Sequence, residues 1–192
     1  IREAALELGV KRIVFGECGH AWRVAYSFVN TLAGPFDFID TEYPVPQHIL
    51  EYTWDALQKG QLNIDKSLND DMVVTFHDSC NNVRSCGLYE EPRELLHLVV
   101  EDFREMIPNR AENYCCTGGG GAMSMSEYTP LRLESAKIKA EQIRATGAQT
   151  IVVPCHSCHG QLNNIKESYG MSDLKVTYLW ELVADCMIVQ QM

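Results

Sequence analysis

Short apolar runs alternate with stretches of helical period along the whole chain. Residues 2–8 carry a helical spacing that Gly9 ends, and residues 11–15 follow as a strand-like apolar run. The pattern predicts a helix over 21–32, a short strand over 36–39, and a helix opening at Pro46 and running through Leu57 to a stop at Gly60. The second half repeats this rhythm. Strands are expected at 72–76, 150–153 and 174–178, and helices at 90–107, 130–145, 161–169 and 179–189. Pro92 is tolerable only in the first turn of its helix. Strands that alternate with helices imply an α/β fold with a mainly parallel sheet.

A weak internal repeat lies inside the alternation. Residues 6–20 and 144–158 both read as a helix end, a glycine (Gly9, Gly147), an apolar strand and then a cysteine (Cys18, Cys155). Ala21 stands in the first copy where Cys158 stands in the second. Ligands of parallel sheets gather at the carboxyl ends of strands, so Cys18, Cys80 and Cys155 are expected on one edge. The chain thus reads as two pseudo-repeated cysteine-rich halves. Residues 1–68 are the remainder of a degenerate, truncated first copy, and residues 69–192 form a complete second one. The chain opens without a methionine, already inside an amphipathic pattern, and is expected to begin within a longer protein.

Composition narrows the class. With 192 residues and 46% hydrophobic content the chain can furnish a core without staples, so its eight cysteines need not be disulfides. A reducing compartment, the cytoplasm, is the expected setting. A net charge of −10 with no Lys/Arg cluster excludes a nucleic-acid footprint. No apolar run is long enough to span a bilayer and no signal-peptide pattern opens the chain, which suits a soluble or peripheral subunit.

Five cysteines form one pattern: Cys80, 34 residues, Cys115-Cys116, 38 residues, Cys155-His156-Ser157-Cys158. Thiolates in this number suit an iron–sulfur cluster, and adjacent cysteines serve several irons better than one ion. The run Gly118 to Gly121 offers backbone N–H groups to sulfide. Other chemistries fit parts of the pattern. Cys155 and Cys158 make a zinc half-site whose only mate would be the poor pair Cys80 and Cys86. They also match a strand–Cys-x-x-Cys–helix dithiol, which leaves Cys80, Cys115 and Cys116 unexplained. Cys186, beside Ala184 and Met187, reads as a small buried apolar residue, and Cys86 fits a buried or a site role. The glycines lack the spacing and preceding strand of a dinucleotide fingerprint.

At these five cysteines the chain resembles the cysteine-rich CCG domain of heterodisulfide-reductase-like proteins. The resemblance covers about residues 70 to 190. It departs from the pattern where Thr117 follows Cys116 and where the second gap runs slightly long. It implies that Cys80, Cys115, Cys116, Cys155 and Cys158, with Gly118 and Gly119 lining the site, hold a noncubane 4Fe–4S cluster that cleaves a disulfide in two one-electron steps. The glycine stretch and the segment Phe15 to His20 are most similar to DsrK- and HmcF-type catalytic subunits of sulfate-reduction complexes. That implies a heterodisulfide or a DsrC-type sulfur carrier as substrate, partner subunits of a quinol-linked membrane complex, and a peripheral place on the inner face of the membrane. The alternative is an electron-transfer subunit of a flavin-linked lactate, glycolate or glycerol-phosphate oxidoreductase. For proton delivery to the released thiolate the candidates are His77, Asp78, His156 and His159, each beside a ligand cysteine. Each also has a bland reading, as a helix cap or a partner of backbone or water. His20 is a lesser candidate, and His48 and His97 read as structural. Cys18 is expected near the site without ligating, Trp22, Trp54 and Trp180 as core or interface aromatics, and residues 122–127 as a cap that shields the cluster.

Overall fold

The computed structural model describes residues 1–39 and 46–188, and within them strands and helices alternate as the periodicity predicts. In chain order the elements are α1 (Arg2–Glu7), β1 (Val14–Phe15), α2 (Gly19–Ala33), β2 (Gln47–His48), α3 (Ile49–Gln58), β3 (Val73–Phe76), α4 (Glu91–Val99), β4 (Asp102–Arg104), α5 (Thr129–Ser135), α6 (Lys137–Thr146), β5 (Thr150–Val153), α7 (His156–Ser168), β6 (Lys175–Tyr178) and α8 (Leu179–Asp185). Two parallel sheets result: β1 with β2, and a four-stranded sheet in the order β4-β3-β5-β6. The fold is α/β, as the sequence implies.

Burial explains the strand order. All four residues of β5 are buried, which a β-branched run without alternation requires of a central parallel strand. Val152 joins Val74 and Phe76 of β3 against Leu95, Leu96 and Val99 of α4 and Leu179, Leu182 and Val183 of α8. Ile151 and Val153 point the other way, onto Ala140 and Ile143 of α6 and Leu162 and Ile165 of α7. Each such large aliphatic side chain contributes about 1.5–3 kcal/mol through burial. The polar edge strands β4 and β6 close the sheet. Because β3 and β5 run parallel, with Phe76 opposite Val152, the loops that leave them start side by side. The His77 N–H donates to the Val152 carbonyl at 2.9 Å and locks that junction.

Several elements differ from expectation. The helix expected over 90–107 ends at Val99, since Val100 turns extended (φ −136°, ψ 152°) and Asp102–Arg104 forms an edge strand on β3. Two adjacent β-branched valines and an open sheet edge outweigh the helical spacing there. The helix expected over 130–145 is two helices joined at buried Ala136, whose N–H is shared between the Arg132 and Leu133 carbonyls. Residues 36–39 form a turn closed by the Ile39 N–H on the Phe36 carbonyl, not a strand, and the partner of β1 is β2. Pro46 precedes β2, and α3 opens at Ile49 behind a capping box of His48 and Glu51. The helix expected from Gln161 begins at His156. The final helix stops at Asp185, where Met187 pairs with Ile64, and Val189 of the expected span lies outside the described residues. No helix among the described residues is long and apolar enough to cross a membrane.

Candidate metal centre

The early start of α7 sets the geometry of the cysteine pair. Cys155 is the residue before the helix, at the buried end of β5, and Cys158 lies in the first turn. Cys155 therefore sits at the positive end of a 13-residue helix, which favours its thiolate. Cys80 follows β3 through the buried segment His77-Asp78-Ser79 and opens a π-helical turn, Asn81–Ser85. Cys115 and Cys116 arrive on the long loop between β4 and α5. The Sγ atoms of Cys116 and Cys158 are 3.3 Å apart, and Cys116, Cys155 and Cys158 pack as one buried group with Cys115 against it.

The thiols share protons unevenly along this chain of sulfurs. Hydrogen bonds from Cys116 and Cys80, then the Thr117 N–H, pull Cys115 down to about 2. The Cys158 thiol, with the backbone N–H groups of Cys158 and Gly19, pulls Cys155 down to about 5. Cys116 is pushed up to about 12, first through its bond to Cys115. Cys80, through its bond to Cys115 and burial, and Cys158, through bonds to Cys116 and Cys155, are also pushed up. All five sulfurs thus form one connected donor set.

The glycine loop closes around the adjacent cysteines. The Thr117 N–H meets Cys115 Sγ at 3.2 Å and the Gly118 N–H meets Cys116 Sγ at 3.4 Å. A Cβ on Gly118 would press on Met123 Sδ, Gln161 Cβ and the Ser157 carbonyl at 3.2–3.3 Å, so only glycine lets this loop lie on the start of α7. Gly119 takes a left-handed conformation (φ 63°) and opens the 3₁₀ turn Gly120–Ser124, with no N–H bond to a thiol among the described residues. Thr117, also left-handed at φ 65°, ties the loop down: its hydroxyl donates to the Arg132 carbonyl at 2.8 Å and accepts from Gln161 Nε2 at 2.9 Å. In the sequence Thr117 stands out only as a departure from Cys-Cys-Gly. That departure is the available signal for its anchoring role.

The four proton-delivery candidates go to three places. His77 is 1% exposed, both ring nitrogens lack a hydrogen-bond partner, and a ring nitrogen lies within 4.8 Å of the Cys116 and Cys158 sulfurs. Burial, and then the charge of Lys139, hold it neutral. Asp78 turns elsewhere. Its carboxylate takes two 2.9 Å bonds from Arg93 and a 2.6 Å bond from the Arg110 N–H, so it organises the loop and faces no thiol. His156 and His159 lie on the outer side, where His156 Nδ1 meets Tyr178 Oη at 2.8 Å and His159 stacks on the Tyr178 ring at 4.5 Å. Trp180 stacks on the far face of the same ring at 4.6 Å. Tyr178 carries no signal in the sequence beyond its place at a strand end.

The N-terminal part reaches this centre. The His156 N–H donates to the Glu17 carbonyl at 2.6 Å, and Gly19 packs against Ser79 and Asn82. His20 covers Gly120, whose Cβ would stand 3.0 Å from Nε2. Cys18 accepts from the Ala21 N–H at 3.5 Å as the cap of α2 and remains a half-buried free thiol. Cys186 is buried in the core against Asn69 and the Val99 carbonyl.

A multi-iron sulfur cluster suits these residues. Four packed thiols, with Cys80 bonded to Cys115, match its donor chemistry, and the single N–H of a buried neutral imidazole with no partner needs a sulfur or similar acceptor. A single tetrahedral ion would leave at least one thiol over.

Comparisons with known proteins agree. The cysteine-rich domain CCG matches residues 74–163. The chain thus carries a cysteine-rich CCG domain match and is similar to heterodisulfide-reductase-like iron–sulfur subunits. It is 29% identical to the Hdr-like menaquinol oxidoreductase iron-sulfur subunit 2 of Archaeoglobus fulgidus, over 98% of this chain and 40% of that protein. It is 26% identical to a subunit of the dihydromethanophenazine:CoB–CoM heterodisulfide reductase of Methanosarcina barkeri, over 96% of this chain and 43% of that protein. It is 31% identical to the probable iron-sulfur-binding oxidoreductase FadF of Bacillus subtilis, over 73% of this chain and 20% of that protein. The chain thus spans less than half the length of these relatives.

Proposed function

We propose that this chain is the cluster-bearing part of an oxidoreductase subunit that reduces a disulfide, or runs the reverse thiol oxidation, at an iron–sulfur cluster of the noncubane 4Fe–4S type. The observation that carries this reading is the packing of four thiols, with Cys80 bonded to Cys115 and the unpartnered His77 beside Cys116 and Cys158. Cys80, Cys115, Cys116, Cys155 and Cys158 are the ligands. Such a cluster supplies an electron reservoir together with a Lewis-acidic iron. Reduction of a disulfide consumes two electrons and two protons and yields two thiols, so the chain must also manage protons.

The residues divide that labour. His77, in a dry pocket with both ring nitrogens unpartnered, would offer an N–H to a sulfur of the bound cluster and carries no charge of its own. The N–H groups of Thr117 and Gly118 do the same for the adjacent cysteines. His156, exposed and held by the Tyr178 hydroxyl, is placed to give a proton to a thiolate leaving at the outer face, and His159 shares the same tyrosine. Asp78 positions the His77 loop through Arg93.

In this reading residues 69–192 are a complete CCG domain and residues 1–68 the tail of a degenerate first copy. The bond from the His156 N–H to the Glu17 carbonyl and the close approach of Gly19 favour that division. The substrate is a heterodisulfide or the disulfide, persulfide or trisulfide of a small DsrC-type sulfur-carrier protein. Electrons are exchanged with partner subunits of a quinol-linked complex on the cytoplasmic face of a membrane. The likeness to the menaquinol oxidoreductase subunit favours this setting. A likeness to a probable membrane-anchored ferredoxin of Chromohalobacter salexigens favours a second reading, a non-catalytic electron-transfer subunit.

Anaerobic purification followed by iron, acid-labile sulfide and zinc analysis tests the cluster. An EPR spectrum taken with thiol under oxidising conditions tests the chemistry. About four irons per chain with a thiol-dependent paramagnetic signal is the expected result. Iron without that signal selects the electron-transfer reading, and stoichiometric zinc ends both.

A further inference from the structure

Lys139 on α6 is a buried charge that no carboxylate answers. Its side chain is 1% exposed, on the face of α6 that also buries Ala140, Gln142 and Ile143. The ammonium donates to Gln142 Oε1 and lies 3.7 Å from Met106 Sδ, both neutral. Gln142 is itself fixed by a 2.6 Å bond from Nε2 to the Pro108 carbonyl. Among the described residues it joins no ion pair. An ammonium out of water without an anion is strongly disfavoured, and a methionine or leucine would fill the same space.

The start of its helix is tied to the cysteine loop, because the Arg132 carbonyl accepts both the Ala136 N–H just before α6 and the hydroxyl of Thr117, the residue after Cys116. Burial draws the ammonium down to about 8, and the groups that push it back are Cys116, Asp78, Cys115 and Cys158. Asp78 forms no ion pair with Lys139 among the described residues, and its carboxylate is taken up by two bonds from Arg93, which it shares with Glu105, and by the Arg110 N–H. What remains is the sulfur group, with neutral His77 on the same side. A thiolate-ligated iron–sulfur centre is anionic and gains a further negative charge on each one-electron reduction, so a fixed cation in a water-excluded pocket favours the reduced state.

We propose that Lys139 is the buried counter-charge of the cluster held by Cys115, Cys116 and Cys158, a positioning residue that raises the cluster's reduction potential and helps retain it. The assignment rests on the iron–sulfur reading above and names a regulator of the same site. Gln142 and Met106 form its cradle.

The test compares three variants of the anaerobically purified protein with the wild type. Lys139→Met removes the charge and keeps the volume. Gln142→Glu leaves the lysine and sets a carboxylate against it. Lys139→Arg keeps the charge. Folding is checked by circular dichroism, cluster content by iron and sulfide per chain, and potential by an EPR-monitored redox titration. Lys139→Met and Gln142→Glu should each make the cluster harder to reduce by about tenfold in the equilibrium, a downward shift of about 59 mV for a one-electron couple. Both should lose iron faster to a chelator, while Lys139→Arg stays near the wild type. The proposal is overturned if the charge-removing variants keep wild-type potential and iron retention, or if Lys139→Arg shifts as far as Lys139→Met. Should Lys139→Met fail to fold, the contrast between Gln142→Glu and Lys139→Arg decides in the same way. A wild-type protein without iron would overturn the underlying reading by a separate readout, and this proposal with it.

Discussion

The strand–cysteine–helix unit occurs twice in this chain, and the two versions differ in what surrounds the same local plan. In the second, β5 is four residues long and wholly buried, Cys155 precedes α7, and Cys158 lies one turn in. In the first, β1 has two residues, Cys18 precedes α2, and Ala21 occupies the position of the second thiol. Cys155 bonds to Cys158 and joins the sulfur group, whereas Cys18 turns its sulfur to the N–H of Ala21. A cysteine before a helix is thus only a cap until a partner thiol and a neighbouring loop complete the site. The N-terminal unit also supports the other, since Glu17 and Gly19 supply backbone contacts to His156 and Cys155. α2 buries Gly19, Trp22 and Ala25 yet leaves Val24, Tyr26, Phe28 and Leu32 exposed, while α7 is covered by the sheet on one side and α5 on another.

The comparison breaks most sharply at the thiols themselves. Replacing Cys158 with serine should abolish the cluster, taking iron from about four per chain to near zero, whereas Cys18→Ser should keep wild-type iron and sulfide. Equal loss in both variants would make Cys18 a ligand and erase the difference between the copies. The next largest effect is structural. Asp78→Asn strips a charge from a pair in which Arg93 and Asp78 are 3% and 1% exposed, leaving the guanidinium with Glu105 alone at its other edge. Breaking a buried pair of this kind costs about 3–5 kcal/mol. Denaturant titration should show it, and an unchanged midpoint would return Asp78 to the reacting groups.

Much of this division is legible in the residues. The alternation of apolar runs and helical spacing predicts the parallel α/β architecture, and the cysteine spacing picks out thiols that the fold brings together. Gly9 and Gly147, both left-handed, precede β1 and β5. What stays hidden depends on contacts distant in sequence. The segment 102–104 becomes a strand because β3 has an open edge, a fact of assembly that no local pattern carries. The first turns of α7 hold Gly160, a poor helix former, which hides the start of the helix at His156. Asp78 resembles a proton donor because it follows His77, yet its partner Arg93 lies 15 residues on. Tyr178 reaches His156 and His159 from β6, and nothing near the cysteines in sequence announces it.

Acid sharpens the comparison through the first copy. His48 is wholly buried against Trp22, and burial lowers its pKa from 6.5 to about 4. The folded state therefore prefers the neutral ring. Stability from this group is complete above pH 6.5, falls as the unfolded chain takes up a proton that the native ring refuses, and levels off below about pH 4. The loss across that window is roughly 3 kcal/mol. Unfolding measured at pH 7.5 and at pH 4.5 should show it in the wild type and not in His48→Gln, whose stability is lower at the higher pH and flatter with acid. Parallel pH curves for the two proteins would mean that the first copy contributes no acid sensitivity.

The smallest effect isolates the seam between the copies. Gly16 and Gly19 flank Cys18 in the same turn, but their surroundings differ. A Cβ on Gly16 would meet nothing within 4 Å, whereas one on Gly19 would stand 2.7 Å from Asn82 Oδ1 and 2.9 Å from Ser79 Oγ. Those contacts belong to the loop around Cys80, and the Gly19 N–H reaches Cys155. Gly16→Ala should lie within about 0.5 kcal/mol of wild type, as an open surface position does. Gly19→Ala must push the Cys80 loop aside at a cost of about 1–3 kcal/mol, and should also weaken iron retention. If the seam were only an accidental contact, α2 would tilt away, and Gly19→Ala would lose a little stability while keeping its iron. Coupled loss of both quantities, in the one variant whose side chain touches only the other copy's loop, would show that the degenerate unit is kept as a wall of the active one.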